Sequence, residues 1–279
     1  MFRFFRRSGV VLLVVLTLKI MTFSLGAWEC CDGSACNRFY IGAFGGGIYS
    51  NSSHTAQYGD AFFSEFTSIG PLPIIGKGDL NSASTGFGGV QIGYEWAIPT
   101  CPCWSIAPAA ELEAFFFGQS RHGDLINESL VSALEEHDFH DSFQMDSSVI
   151  LANLVLSFQN TCLWGFTPYI AGGIGTVRIS LSDANSLQVS PPEAGVNHFN
   201  SDTSSSAWTF AAQVKAGLGY RLSSRFNIFG EYRYLYVDNS SYVFGPTNYV
   251  EHVPTTPWNV KLNNIQYNAF AFGIRYYFG

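Results

Sequence analysis

The stretch Ala269-Phe-Ala-Phe-Gly-Ile-Arg-Tyr-Tyr-Phe278 decides the fold. Successive side chains of an extended chain point to opposite sides, so Phe270, Phe272, Ile274, Tyr276 and Phe278 share one face and Ala269, Ala271, Gly273 and Arg275 the other. Large apolar rings backed by small residues and one cation are what a strand needs when lipid lies on one side and a lumen on the other.

The same period of two recurs upstream over stretches of about ten residues. Phe226, Ile228, Tyr232, Tyr234 and Tyr236 oppose Asn227, Glu231 and Arg233; Trp208, Phe210, Val214, Leu218, Tyr220 and Leu222 oppose Thr209, Gln213, Lys215 and Arg221. Ile150, Leu154, Leu156 and Phe158 oppose Asn153 and Ser157, Ile106, Leu112 and Phe116 oppose Glu111 and Glu113, and Val90, Ile92, Tyr94 and Trp96 oppose Gln91 and Glu95. Two Gly-rich segments, Phe39 to Tyr49 and Thr167 to Ile179, bring the total to eight, although their facing is ambiguous. The connections alternate: long polar stretches at 50–81, 120–146, 180–206 and 238–262, short ones at 98–104, 160–166 and 223–224. An even number of strands with alternating short and long connections predicts an all-β, antiparallel, up-and-down transmembrane barrel over 39–279, with long external loops and both termini periplasmic. A soluble sandwich or lipocalin-type barrel shares the alternation but turns its apolar face inward. Mid-strand Glu and Arg opposite the apolar faces weigh against it.

Composition agrees. Only 13% of the 279 residues are charged, against about 25% in ordinary globular domains. The 47% hydrophobic content, with 25 Phe and 14 Tyr, excludes a disordered chain. A net charge of −7 excludes a basic nucleic-acid binder. Outside the N-terminus there is no run of about 18 apolar residues that could cross a membrane as a helix. Residues 1–27 carry Arg3, Arg6 and Arg7, an apolar stretch from Val10 to Leu18, and Ser24-Leu25-Gly26-Ala27. That layout predicts a cleaved Sec signal peptide, whose loss removes four basic residues and leaves a mature charge of about −11. A Cys-containing periplasmic segment, 28–38, follows.

Phe39-Tyr-Ile-Gly-Ala-Phe-Gly-Gly-Gly47, Gly86-Phe-Gly-Gly-Val-Gln-Ile-Gly-Tyr-Glu95, Thr167-Pro-Tyr-Ile-Ala-Gly-Gly-Ile-Gly175 and Gly230-Glu-Tyr-Arg-Tyr234 resemble the recurring strands of OmpA-like and OmpX-like eight-stranded outer-membrane proteins of Gram-negative bacteria. The resemblance covers almost the whole mature chain and specifies fold far better than function. It implies residence in the bacterial outer membrane, contact with its lipid and lipopolysaccharide, and delivery by the barrel-assembly machinery. The last strand resembles the assembly signal ending in an aromatic residue, here Phe278 with Tyr276; Gly279 after it departs from that pattern, as does the lack of a peptidoglycan-binding domain after the barrel.

An eight-stranded barrel is about wide enough to be filled by its own side chains. The assigned lumen face holds Glu95, Glu111, Glu113 and Glu231 against Lys215, Arg221, Arg233 and Arg275. Four charges of each sign should pair, because an unpaired buried charge is costly. The expected interior is a salt-bridged plug, with a narrow channel passing small solutes as the alternative. Cys30, Cys31, Cys36, Cys101, Cys103 and Cys162 all fall at the periplasmic end. Export permits disulfides, either internal or to other envelope proteins, the latter resembling the Cys-linked envelope of chlamydia-like bacteria. Fifteen pairings are open.

All six His lie in the expected external loops, most densely at Glu135-Glu136-His137-Asp138-Phe139-His140-Asp141. His137 and His140 are weak candidates for a divalent cation; a solvated acidic loop is the commoner explanation, and no metal or other cofactor is expected. Lipid-modifying barrel enzymes need a His general base beside a Ser, and the barrel strands contain no His, so no enzyme is expected. Ser-, Asn- and aromatic-rich loops such as Asn51 to Gly76 and Asn239 to Trp258 suit an external host or matrix ligand. The sequence thus predicts a structural, adhesin-like surface protein.

Overall fold

A computed structural model describes residues 37–62, 71–96, 98–99, 104–129, 137–160 and 163–278. The expected signal peptide, nearly all of the segment 28–38 and all six Cys lie outside the described residues, as do Glu135, Glu136 and Gly279.

The described residues form thirteen antiparallel strands: β1 (Arg38–Ser50), β2 (Ser53–Ala61), β3 (Leu72–Leu80), β4 (Ala83–Glu95), β5 (Ile98–Pro99), β6 (Trp104–Asn127), β7 (Asp138–Asn160), β8 (Phe166–Ser190), β9 (Ser205–Arg221), β10 (Phe226–Val237), β11 (Ser240–Phe244), β12 (Trp258–Leu262) and β13 (Ile265–Phe278). Eight of them close a ring in the order β1, β4, β6, β7, β8, β9, β10, β13. The last pair runs from Phe39 opposite Phe278 to Ser50 opposite Tyr267. Closure leaves no free edge, so every backbone group in the wall can be satisfied without water. The expected eight-stranded barrel is the fold.

The wall is much taller than a bilayer requires. Strands β6, β7 and β8 run for 24, 23 and 25 residues, whereas about 9–11 tilted residues cross a membrane. At about 3.3 Å per residue, each of the three extends roughly 40 Å beyond the hydrocarbon layer. The stretches expected as loops are therefore largely wall. Parts of 50–81, 120–146, 180–206 and 238–262 form β2, β3, β11, β12 and the far halves of β6, β7 and β8. Four of the remaining ring strands, β1, β4, β10 and β13, are continued by a second piece (β2, β3, β11 and β12) past breaks at Asn51-Ser52, Asn81-Ser82, Asp238-Asn239 and Asn263-Asn264, while β9 is unbroken. At each break the side chains favour turns, while backbone bonds carry the wall across: Asn51 N donates to Gln266 O (3.1 Å), Asn81 N to His122 O (2.8 Å), Asp238 N to Phe210 O and Asn263 N to His54 O (both 2.9 Å). Beyond the breaks β11, β12, β2 and β3 pair in that order and join the upper half of β6. We call the part holding Arg38 and Phe278 the base and the part beyond the breaks the crown.

The two parts face solvent differently. Around the base, Ile41, Val90, Leu112, Phe116, Leu154, Ile174, Phe210, Val214, Phe270 and Phe272 are exposed, and charged side chains are buried inside. This is the expected facing, and it also fixes the two ambiguous strands. Tyr40, Phe44 and Ile48 of β1 and Tyr169, Ala171, Val177 and Ile179 of β8 point inward. In the crown the arrangement reverses. Leu80, Leu125, Phe139, Met145, Phe199, Phe244, Trp258 and Leu262 fill the interior, while His54, Lys77, His122, Asp124, Gln144 and Lys261 face out. Strand β6 shows the change within one continuous element: its even positions are apolar up to Phe116 and polar at Ser120, His122 and Asp124.

Candidate functional site

The base interior is crossed by one ionic network. Lys215 on β9 reaches Glu111 and Glu113 on β6 with Nζ at 2.6 and 2.8 Å from their carboxylates. Arg233 on β10 spans the lumen to Glu113 at 3.1 Å and also binds Glu231 on its own strand. Arg275 on β13 approaches Glu111 at 3.7 Å. Three carboxylates thus face three cations. Neutral groups complete the shell: Tyr40 and Tyr169 donate hydroxyls to Glu111 (2.8 Å) and Glu231 (2.6 Å). Asn153 donates to Glu111 (3.2 Å) and accepts from Gln213 (2.8 Å), which also donates to Glu113.

Rings fill what the charges leave. The Arg233 guanidinium lies 4.0 Å from the centre of the Phe44 ring, and that of Arg275 lies 4.4 Å from Phe229 and 4.9 Å from Tyr169, distances at which a desolvated cation gains from the ring quadrupole. Tyr40 and Tyr169 reach over the adjacent strand to these carboxylates only because the residues opposite them, Gly93 and Gly217, have no side chain there; a Cβ at either would collide with the tyrosine ring. Toward the base rim, Arg38 donates to Glu95 at 2.7 Å. A recess of about 10 Å³ beside them, touched also by Gln159, Asn227 and Tyr277, has room for about one water.

Seven of the eight expected lumen charges, Glu95, Glu111, Glu113, Lys215, Glu231, Arg233 and Arg275, are buried in this interior. Arg221 is not: it stands exposed at the end of β9, on the rim of the recess. Glu95 is paired with Arg38, which precedes the alternating part of β1 and gives no phase from which its facing could be read. Tyr276 and Phe278 lie on the outward face, in contact with one another and with the rings of Phe226 and Phe39.

Buried charged groups are fewer in the crown and differently partnered. Buried Arg121 donates to Ser50 Oγ (2.8 Å), Ser53 Oγ (3.2 Å) and Asn51 O (3.3 Å) at the level of the breaks. Asp141 is fully buried beside Ser186 and Gln57. Burial pushes its carboxyl up to about 7, against opposing effects from Ser186 and His140. A bulge where Ser142 and Gln144 meet Asn185 and Ser182 turns Ala184 and Ser186 inward, with Asp183 at φ 51°, a conformation that Asp tolerates better than most residues.

The expected cation candidates His137 and His140 do not form a joint site. His140 lies on the outer face with Nδ1 2.6 Å from Asp124, and neither it nor His137 is among the side chains that converge. The side chains that converge are Glu193 and His198, from the segment after β8, and His252, from the segment between β11 and β12. His198 and His252 are 54 positions apart, and no local motif announces them.

No protein-family model matches the chain, and comparison with curated proteins finds no match. Among solved structures it is similar to Neisserial surface protein A, NspA, at 15% identity over 86% of this chain and 97% of that one, with TM-score 0.37. It is also similar to the outer membrane protease OmpT of Escherichia coli (11%, 86% and 97%, TM-score 0.43) and to the outer membrane protein OprG of Pseudomonas aeruginosa (14%, 88% and 98%, TM-score 0.39). The functional reading rests on the chain's own residues.

Proposed function

We propose that the chain is an integral outer-membrane protein with a structural and surface-interaction role, its base in the bilayer and its crown outside. The observation that carries this reading is the reversal of polarity at one level of the wall. Below it, an apolar belt surrounds buried charges; above it, a polar skin surrounds an apolar core. A belt of that kind suits lipid acyl chains, including those of lipopolysaccharide, and the aromatic residues at its margins, Tyr49 and Trp208 toward the crown and Phe166, Phe226 and Phe278 toward the base, suit the two interfaces. Assembly machinery would read the outward Tyr276 and Phe278.

The same reading makes the base a plug rather than a passage. Its lumen charges are engaged with one another across the full width, and a barrel of this strand number has little further space. The crown then offers any external ligand a firm polar surface carrying His54, Lys77, Asp79, Asp124 and Glu128. We read the chain as a binding and structural protein rather than an enzyme. Planar-bilayer recording on the refolded full chain tests this. No stable conductance is expected; a steady ohmic conductance would replace the structural role with transport.

A further inference from the structure

Glu193, His198 and His252 come from two segments that meet over the crown. Segment 191–204 leads from β8 to β9, and segment 245–257 joins β11 to β12. They are held together by neutral bonds: Thr247 Oγ1 donates to His198 O (3.0 Å), Asn197 N to Tyr249 Oη (3.1 Å), Asn200 Nδ2 to Asn248 O (2.8 Å), and Gly245 N to Asp202 O (2.9 Å).

Both imidazoles are oriented the same way. His198 has Nδ1 2.9 Å from Ser186 O, and His252 has Nδ1 2.6 Å from Val253 O. A carbonyl can only accept, so each Nδ1 carries a proton, and in the neutral ring each Nε2 then presents a lone pair. The two Nε2 atoms converge on one Glu193 carboxylate oxygen, at 3.7 Å from His198 and 3.3 Å from His252, and all three ligand atoms lie within 4.8 Å of one another. Around zinc, with ligands at about 2.0–2.1 Å, neighbouring ligand atoms of a tetrahedron are roughly 3.3 Å apart. Backbone carbonyls holding the far nitrogens are also the outer shell that metal-binding histidines use to fix their tautomer. The His198 ring is clamped edge-on by Phe139 (5.1 Å) and His252 (5.2 Å) and is almost fully buried, whereas the Glu193 side chain is 35% exposed. One side of the cluster is therefore open to an ion entering from water.

We propose that Glu193, His198 and His252 form a zinc site that ties segment 191–204 to segment 245–257 across the outer end of the crown. Two imidazoles with a single carboxylate select a borderline transition metal over the hard cations calcium and magnesium, which need several oxygen ligands. Three protein ligands leave a fourth position, on the Glu193 side, for water or for a donor group from an external partner.

The test is a titration of the refolded full chain with Zn²⁺ alone by calorimetry, after alkylation of the six cysteines so that thiols do not compete. One equivalent should bind, and Ca²⁺ should not. Co²⁺ should show the visible absorption of tetrahedral coordination, which needs no variant. His252→Ala and Glu193→Gln alter partly exposed side chains, so they should fold and should each weaken zinc binding at least about tenfold, the loss already typical of removing an outer-shell partner. Outward-facing His54→Ala and His140→Ala should leave it unchanged. Zinc should also slow proteolysis within 191–204 and 245–257, and not in His252→Ala. Absence of saturable zinc uptake, or uptake equally strong in His252→Ala, would overturn the site.

Discussion

Base and crown share the long strands β6, β7 and β8, yet they are inside-out relative to one another. In the base, Glu111, Glu113 and Glu231 pair with Lys215, Arg233 and Arg275 inside an apolar belt; in the crown, Trp258, Phe244, Phe199 and Leu262 are enclosed by a polar skin. A period of two establishes only that a strand has two different faces. The surrounding medium decides which face turns outward: acyl chains admit no unpaired charge, and water admits few exposed rings. The two parts should therefore be stabilised differently. The crown depends on hydrophobic burial in water, as a soluble domain does. The base depends on lipid outside and on charge balance inside, where breaking a pair costs far more than forming it gains.

Lys215→Met tests this difference most severely. It leaves Glu111 and Glu113 beside one another with one cation too few, and the expected loss is about 5 kcal/mol, the upper end for breaking a buried ion pair. Urea titration in lipid vesicles, followed by the gel mobility of the folded barrel, should show the base destabilised. Adding Glu113→Gln restores balance and should recover most of the loss. An unchanged Lys215→Met variant would mean that water, rather than side chains, solvates the carboxylates.

Trp258→Ala should do to the crown what Lys215→Met does to the base. Trp258 is fully buried, meets the rings of Phe139, His198 and Phe199, and donates Nε1 to Thr247 Oγ1 at 3.1 Å. Its truncation should cost about 4 kcal/mol, within the range for large aromatic-to-alanine changes. The expected signature is a separate early transition and rapid cleavage within 191–204, with the folded-barrel mobility retained. Simultaneous loss of both parts would show that they form one cooperative unit.

The sequence reveals the base better than the crown for a physical reason. In the base, lipid-facing residues are large and lumen residues are charged or small, so Leu112 and Phe116 against Glu111 and Glu113 mark both faces at once. Strand β1 escapes that reading because its inward face carries Tyr40, Phe44 and Ile48 while its outward face mixes Ile41 and Tyr49 with Ala43, Gly45 and Gly47, so large apolar residues stand on both faces. In the crown the phase reverses within β6, from apolar Leu112 and Phe116 on even positions to Leu125 on an odd one, so a single template stops matching. Asn51-Ser52, Asn81-Ser82 and Asn263-Asn264 have turn composition but serve as offsets in a continuous wall. Glu193, His198 and His252 are joined only by the packing of two segments, which no pattern within either segment encodes.

Asp141 offers the smallest and most selective probe, because its effect should be confined to the crown and should depend on pH. Its carboxyl is raised by burial from an ordinary 3.8 to about 7, so the folded crown holds a proton there that the unfolded chain releases. Between those two values folding takes up a proton, and stability must fall as pH rises. The crown is therefore most stable below about pH 4, loses stability through the interval, and levels off above about pH 7, where the buried carboxylate is ionised in both states. At 1.36 kcal/mol per pKa unit, the change across the interval amounts to at most about 4 kcal/mol. Asp141→Asn keeps the shape, removes the titration, and should raise stability at neutral pH while flattening the profile. Measured as loss of crown protection against cleavage within 191–204 during urea titration, the wild-type slope should be negative from pH 4 to 7 and nearly absent in the variant, with the base transition unchanged between the two proteins. An equal slope in both would place the pH dependence elsewhere. A slope shared by the base transition would mean that the level of the breaks does not separate base from crown energetically.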